Sequence, residues 1–209
     1  LEALAPEVAA QGAVISVDTR KAAVAEAAIA AGAGIVNDVS GLDFDPAMAA
    51  TVAAGKAGLI IMHSRGNPRS MQDDPRYDNV VCDVFDALAE KVLRAEDAGI
   101  PRSRIAIDPG IGFAKTAEHN LELLRAISVF HGLRCGVLLG VSRKRFIGTI
   151  GGGLPPERRD NGTHALTLAA IGQGVQMHRV HDVDGAAQSL ALWQAAHEGG
   201  GAGLGRNGR

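Results

Sequence analysis

At six places in the 209-residue chain a short apolar run ends in polar side chains able to do chemistry. They are Asp18, Asn37 with Asp38, His63, Asp108, Ser142-Arg143-Lys144, and Arg179 with His181. Two carboxylates and an amide can satisfy the edge of a planar heterocycle bearing an amino-amide pattern. Lysine and arginine bind an anion or a leaving group. Arg179 and His181 are two apart in an extended run, so both point to one face while His178 points to the other. That spacing argues against His178 and His181 as a shared metal pair. Any one polar residue at a strand end is an ordinary cap or turn former. Their recurrence at strand after strand is what suggests a site.

Two loops accompany these residues. Asp108-Pro109-Gly110-Ile111-Gly112-Phe113-Ala114-Lys115 combines a proline that fixes one dihedral with two glycines that permit positive ones and close ligand approach. The loop over 62–72 is long and polar, as expected of a mobile loop at an active face.

The elements that position these residues repeat one pattern. Apolar runs at 13–17, 34–36, 58–62, 104–107, 136–141 and 174–180 read as strands buried on both faces. Amphipathic stretches between them read as helices: 20–31 capped by Thr19, a segment through 54 started by Asp45-Pro46, then 78–98, 118–130, 157–171 and 184–196. Residues 1–10 read as the end of a helix without a start. Alternating strands and helices make right-handed βαβ units around a parallel sheet. A doubly wound sheet would carry a Gly-rich phosphate turn after its first strand, where this chain has Asp18-Thr19-Arg20-Lys21. Polar ends on several different strands fit a (β/α)8 TIM barrel instead. Such barrels typically run to about 250 residues. The expectation is therefore an α/β fold, a TIM barrel truncated at the N-terminus to about six βα units, over residues 1–198. Residues 199–209 read as a disordered Gly-rich tail.

Composition narrows the function. Lys plus Arg total 21 against 23 Asp plus Glu, so charge gives no reason to expect nucleic acid or an anionic membrane as partner. No run of 18 apolar residues is present, and the two cysteines cannot build a four-thiolate metal site. A reducing cytoplasm is the expected location. Cys82 and Cys135 read as packing residues, Arg158-Arg159 as a solvated helix face, and Gly151-Gly152-Gly153 as a flexible loop, since no Lys-Ser/Thr follows it.

In order, Val17-Asp18-Thr19-Arg20-Lys21, Asn37-Asp38-Val39-Ser40-Gly41, Met62-His63 with Gly66-Asn67-Pro68 and Met71-Gln72, Asp108-Pro109-Gly110-Ile111-Gly112-Phe113, Gly140-Val141-Ser142-Arg143-Lys144, and Arg179-Val180-His181-Asp182-Val183 resemble the dihydropteroate synthase family, the sulfonamide target of folate biosynthesis. The resemblance covers roughly residues 5 to 197. It implies a barrel that binds a pterin in its mouth. By position it implies that Asp18, Asn37 and Asp108 hydrogen-bond the pterin edge, while Met62, Phe113 and Gly140 line the pocket. Lys144 would contact the pterin carbonyl side and the aminobenzoate site. Arg179 would stack on the ring and, with Asn37 and His181, hold the diphosphate. Lys144, Arg179 and His181 are thus the implied catalytic residues. The implied substrates are 6-hydroxymethyl-7,8-dihydropterin diphosphate and 4-aminobenzoate, the implied cofactor is magnesium, and the implied assembly is a homodimer.

Two departures stand against the family pattern. The Thr-Pro-Asp-Ser-Phe-like loop with its magnesium-binding Asn and the Ser-Thr-Arg-Pro-Gly-like loop do not occur in this chain, and His178 stands where an apolar residue is usual. Two other readings stay open at this point: a pterin-binding barrel that passes a methyl group to a corrinoid protein, and a fragment or paralogue that binds pterin without catalysis.

Overall fold

The computed structural model describes residues 1–65 and 75–197. The expected tail over 199–209 and most of the loop over 62–72 lie outside the described residues. Six strands run parallel, each beside its predecessor: β1 (Ser16–Asp18), β2 (Ile35–Asp38), β3 (Gly58–Met62), β4 (Ile105–Asp108), β5 (Gly136–Leu139) and β6 (Met177–His178). Helix α1 (Ala5–Ala10) precedes β1. The first crossovers carry α2 (Ala22–Ala30), α3 (Met48–Ala54) and α4 (Val80–Asp97). The fourth carries α5 (Ala117–Arg125), the fifth α6 (Arg145–Ile150) and α7 (Asp160–Ile171), and α8 (Val183–His197) follows β6. Parallel strands in chain order, with right-handed helical crossovers on one face, curl into the arc of a barrel. The expected six strands of a TIM barrel, in chain order, are what form.

Strand alternation divides the molecule into two interiors. Val36, Leu59, Ile61, Ile105, Ile107, Val137 and Leu139 face the helices and join Leu88, Phe130 and Leu123 in the main core. On the opposite face Ile60, Ala106 and Leu138 form a small cluster with Ile35 and Met177. Moving two residues along each strand keeps the same face. From Ile35, Ile60, Ala106, Leu138 and Met177 that step reaches Asn37, Met62, Asp108, Gly140 and Arg179. The apolar plug thus forms the floor beneath the expected site residues.

Several boundaries differ from expectation, for local reasons. Helix α2 starts at Ala22 rather than residue 20. Thr19 does not cap it; Asp45 Oδ2 takes the free N–H of Ala22 at 2.8 Å. Asp45 Oδ1 also accepts from Ala47, so Asp45-Pro46 makes a turn and α3 begins only at Met48. Asn79 caps α4 by accepting from the N–H groups of Val81 and Cys82. The helix expected over 118–130 ends at Arg125 and continues as a 3-10 segment, Ile127–Leu133. The one expected over 157–171 begins as a separate 3-10 turn, Pro156–Arg158. Arg159 is no solvated surface residue: its guanidinium donates to the carbonyls of Leu154 and Arg143.

Strands β1 and β6 are the sheet's two edges. Near them stand exposed apolar side chains, Leu4 and Val14 on one side, Val183 and Leu192 on the other, and α8 buries none of its residues.

Candidate active site

The site occupies the carboxyl ends of the strands. Asp18 and Asn37 are register partners at the ends of β1 and β2, and Asn37 Nδ2 donates to Asp18 Oδ1 at 2.7 Å. Asn37 is fully buried, and its Oδ1 accepts from no group among the described residues. An orphaned buried acceptor costs free energy unless a ligand or water meets it. The neighbouring Asp38 has the opposite strand parity and a different job. Its carboxylate accepts from Ser40 N and Oγ and from Leu42 N, which shapes the turn after β2.

Met62 and Asp108 are register partners at the ends of β3 and β4, and both are buried. Asp108 Oδ1 accepts from Gly110 N at 2.7 Å. Its Oδ2 has no hydrogen-bond partner among the described residues, and Arg179 Nη1 stands 4.0 Å away. Burial pushes the Asp108 carboxyl above the ordinary range, against the pull of the Gly110 N–H, Arg179, Lys144 and Lys115. Gly140, at the end of β5, leaves space beside this carboxylate, since a Cβ there would lie 3.7 Å from Oδ2.

Lys144 Nζ sits 3.9 Å from the Phe113 ring centroid, a cation–π contact. Burial lowers its pKa; Asp108 opposes the shift and Arg179 adds to it. His181 joins from the far edge of the arc, with Nδ1 2.7 Å from Ser142 Oγ. The strand ends thus bring Asp108, Gly140, Phe113, Lys144 and Arg179 together. Asn37 with Asp18 forms a second polar group on the same face, and His181 forms a third beside Ser142. Arg143, next to Lys144 in sequence, pairs instead with Asp160.

Sequence reasoning placed His63 among the strand-end polar residues without a specific role and assigned none to Lys115. Both are buried, and Lys115 Nζ meets His63 Nδ1 at 3.0 Å and donates to Phe113 O at 3.0 Å. This contact ties the loop carrying Phe113 to the end of β3. The place of His63 after an apolar strand signals burial, but no local pattern pairs residues 52 apart. The close approach of the His63 backbone also explains Gly110, whose φ is +70° and whose hypothetical Cβ would fall 1.9 Å from the carbonyl oxygen of His63.

Residues 1–181 match the family described as pterin binding enzyme. The chain belongs to the pterin-binding enzyme family. The floor of apolar strand residues and the polar layer above it are this pterin-binding member's version of a barrel mouth. A dihydropteroate synthase of Synechocystis is 43% identical over 184 residues, covering 86% of this chain and 64% of the relative. The chain therefore spans less than two thirds of that relative's length. The dihydropteroate synthase of Stenotrophomonas maltophilia, solved with imidazole in its active site, superposes with a TM-score of 0.90 at 38% identity, covering 96% of this chain and 74% of that one. The dihydropteroate synthase of Thermus thermophilus, solved with 4-aminobenzoate, gives 0.86 at 40% identity, covering 93% and 79%. The same Thermus protein has also been solved in complex with 6HMPPP.

Proposed function

We propose that this pterin-binding barrel serves dihydropteroate synthesis, joining 6-hydroxymethyl-7,8-dihydropterin diphosphate to 4-aminobenzoate with release of diphosphate. The observation that carries the reading is the unmet buried acceptor Asn37 Oδ1, on the same face as Asp108 Oδ2, whose nearest charged neighbour is Arg179 Nη1 at 4.0 Å. A pterin's amino and ring N–H groups are donors of the kind these acceptors lack. The names of the relatives and the ligands of the Thermus structures support the same substrates.

In this reading Asp108 and Asn37 hold the heterocycle edge, with Asp18 orienting the Asn37 amide through its hydrogen bond. Met62, Phe113 and Gly140 bound the pocket. Arg179 stacks on the ring and, with Asn37 and His181, meets the diphosphate, while Lys144 contacts the pterin carbonyl side and the aminobenzoate site. The bond from the pterin methylene to oxygen breaks, and its electron pair leaves with the diphosphate. The cationic methylene then forms a bond with the arylamine nitrogen, which afterwards gives up its proton. Charge-assisted hydrogen bonds to the departing anion strengthen as its charge grows, so they favour the transition state over bound substrate. No strong base is required to deprotonate the arylamine before it attacks.

Family resemblance implies magnesium. Among the described residues no group of three or more His, Cys, Asp or Glu is placed to hold a metal ion, so these residues do not fit one and no step is routed through it. The reading includes a homodimer and a cytoplasmic location. For the homodimer the support is a groove of about 660 Å³ that joins apolar residues such as Phe146, Ile150 and Leu166 to the charged Glu157, Arg158 and Asp160. No described helix is long and apolar enough to cross a membrane. Transfer of a methyl group to a corrinoid is disfavoured because both Ser142-Arg143-Lys144 and Arg179-Val180-His181 are present. The test is diphosphate release from the pterin substrate. Release that depends on 4-aminobenzoate supports synthesis; pterin binding without release supports a binding role alone.

A further inference from the structure

Ser142 is buried in the turn between β5 and α6. Its Oγ accepts from the backbone N–H of His181 at 3.1 Å and lies 2.7 Å from Nδ1 of the same histidine. A serine hydroxyl has one proton to donate and two lone pairs. One lone pair is taken by the His181 N–H. Among the described residues the hydroxyl proton has one acceptor in reach, His181 Nδ1. The reverse arrangement, Nδ1–H donating to Oγ, would leave a buried hydroxyl proton unmet. In the neutral imidazole the proton then sits on Nε2, the ring nitrogen with no partner among the described residues.

The turn that presents Ser142 is held unusually firmly. Arg143 has φ +56°, a left-handed conformation that costs a non-glycine residue energy. Helix α7 holds it there. Arg143 Nε and Nη2 make a bidentate pair with Asp160 at 2.8 and 2.7 Å. Its backbone N–H donates to Thr163 Oγ1 at 3.1 Å, and its carbonyl accepts from Arg159 Nη1 at 3.0 Å. A strained residue whose side chain, N–H and C=O are all engaged fixes the hydroxyl next to it.

We infer that Ser142 is a positioning residue that holds neutral His181 as its Nε2–H tautomer, so that His181 offers an oxyanion in the barrel mouth a donor and no opposing lone pair. The tautomer assignment stands on the Ser142 geometry alone. Its value for function rests on the proposed diphosphate site.

The test is nitrogen-15 NMR of the histidine-labelled 209-residue chain at about pH 8, where an ordinary histidine is neutral. His181→Gln identifies the signals by their loss. The expected wild-type pattern is protonated Nε2 and unprotonated Nδ1. Ser142→Ala should give averaged shifts from two exchanging tautomers, and Ser142→Thr, which keeps the hydroxyl, should retain the single form. A wild-type proton on Nδ1, or a folded Ser142→Ala as cleanly Nε2–H as wild type, would overturn the inference. If Ser142→Ala fails to fold, the wild-type pattern and Ser142→Thr still decide it. Titration with inorganic pyrophosphate is the second arm. Ser142→Ala should weaken it by about tenfold and Ser142→Thr by about twofold at most. The expected tautomer without any pyrophosphate response at His181 would keep the assignment and remove the diphosphate reading.

Discussion

Lys115 Nζ lies 3.0 Å from Nδ1 of His63, and both side chains are buried behind the loop that follows Asp108. Loss of hydration, reinforced by the charges of Arg65 and Lys144 and opposed by Asp108, brings the lysine down to about 7. Loss of hydration and the Lys115 charge push His63 down to about 2, so His63 is neutral and its Nδ1 accepts from the lysine. Unfolded, Lys115 keeps its proton to about pH 10.4. Between about 7 and that value the unfolded state binds the extra proton, so stability rises with pH, and the penalty for burying the charge is full below about 7. Lys115→Met should remove this rise. Urea midpoints across the range from about pH 7 to 10 check it. The difference between Lys115→Met and wild type should shrink toward high pH; a constant difference would mean that Lys115 does not titrate in this window.

Gly110→Ala should be costly. Its φ of +70° disfavours a side chain, and the new Cβ would collide with the carbonyl oxygen of His63. A loss of at least about 2 kcal/mol is expected, or a shifted loop that breaks the Gly110 to Asp108 hydrogen bond. Thermal denaturation with a parallel pterin titration checks both. A fully stable variant with wild-type binding would show that the loop has slack the geometry denies.

Diphosphate handling should separate from pterin recognition. His181→Ala should weaken the diphosphate-bearing pterin by about tenfold and leave the pterin alcohol nearly unchanged. Arg179→Ala should weaken both, since a guanidinium that stacks on the ring contributes to either ligand. Calorimetry with the two ligands reads the difference. Equal losses for His181→Ala would move His181 from anion binding to shaping the pocket.

The open edges carry a liability. Among the described residues β1 and β6 each have one strand neighbour, and Val14 and Leu192 are 62% and 67% exposed. Unpaired strand edges beside exposed apolar groups promote association. The 209-residue chain should self-associate with rising concentration in sedimentation velocity and melt at a low temperature. A monodisperse monomer with a cooperative transition in the ordinary mesophile range would contradict this.

The barrel wall was legible because strand alternation is local. Each apolar run ending in a polar residue specified both a strand and the face of its terminal side chain, so Asn37, Met62, Asp108, Gly140 and Arg179 fall on one layer. Helix starts were less legible because the competing cap for α2 is Asp45, 23 residues downstream of Ala22. The Lys115 to His63 contact and the clamp of α7 on Arg143 were not legible for the same reason: each is a long-range pairing of residues whose local sequence fits a surface loop equally well. Asp38 reads like its neighbour Asn37, and only the opposite parity of its side chain separates a turn former from a residue whose buried Oδ1 is left unpaired among the described residues.

The most direct test of the central claim is calorimetric titration of 6-hydroxymethyl-7,8-dihydropterin diphosphate into the 209-residue chain and into Asp108→Asn. The substitution keeps size but replaces an acceptor oxygen with a donor nitrogen, which faces the ligand's N–H groups as an unmatched buried pair. The expected result is saturable one-site binding by the wild-type chain, weakened in Asp108→Asn by about 1–3 kcal/mol. Absence of saturable binding, or equal affinity for the two proteins, would contradict the account.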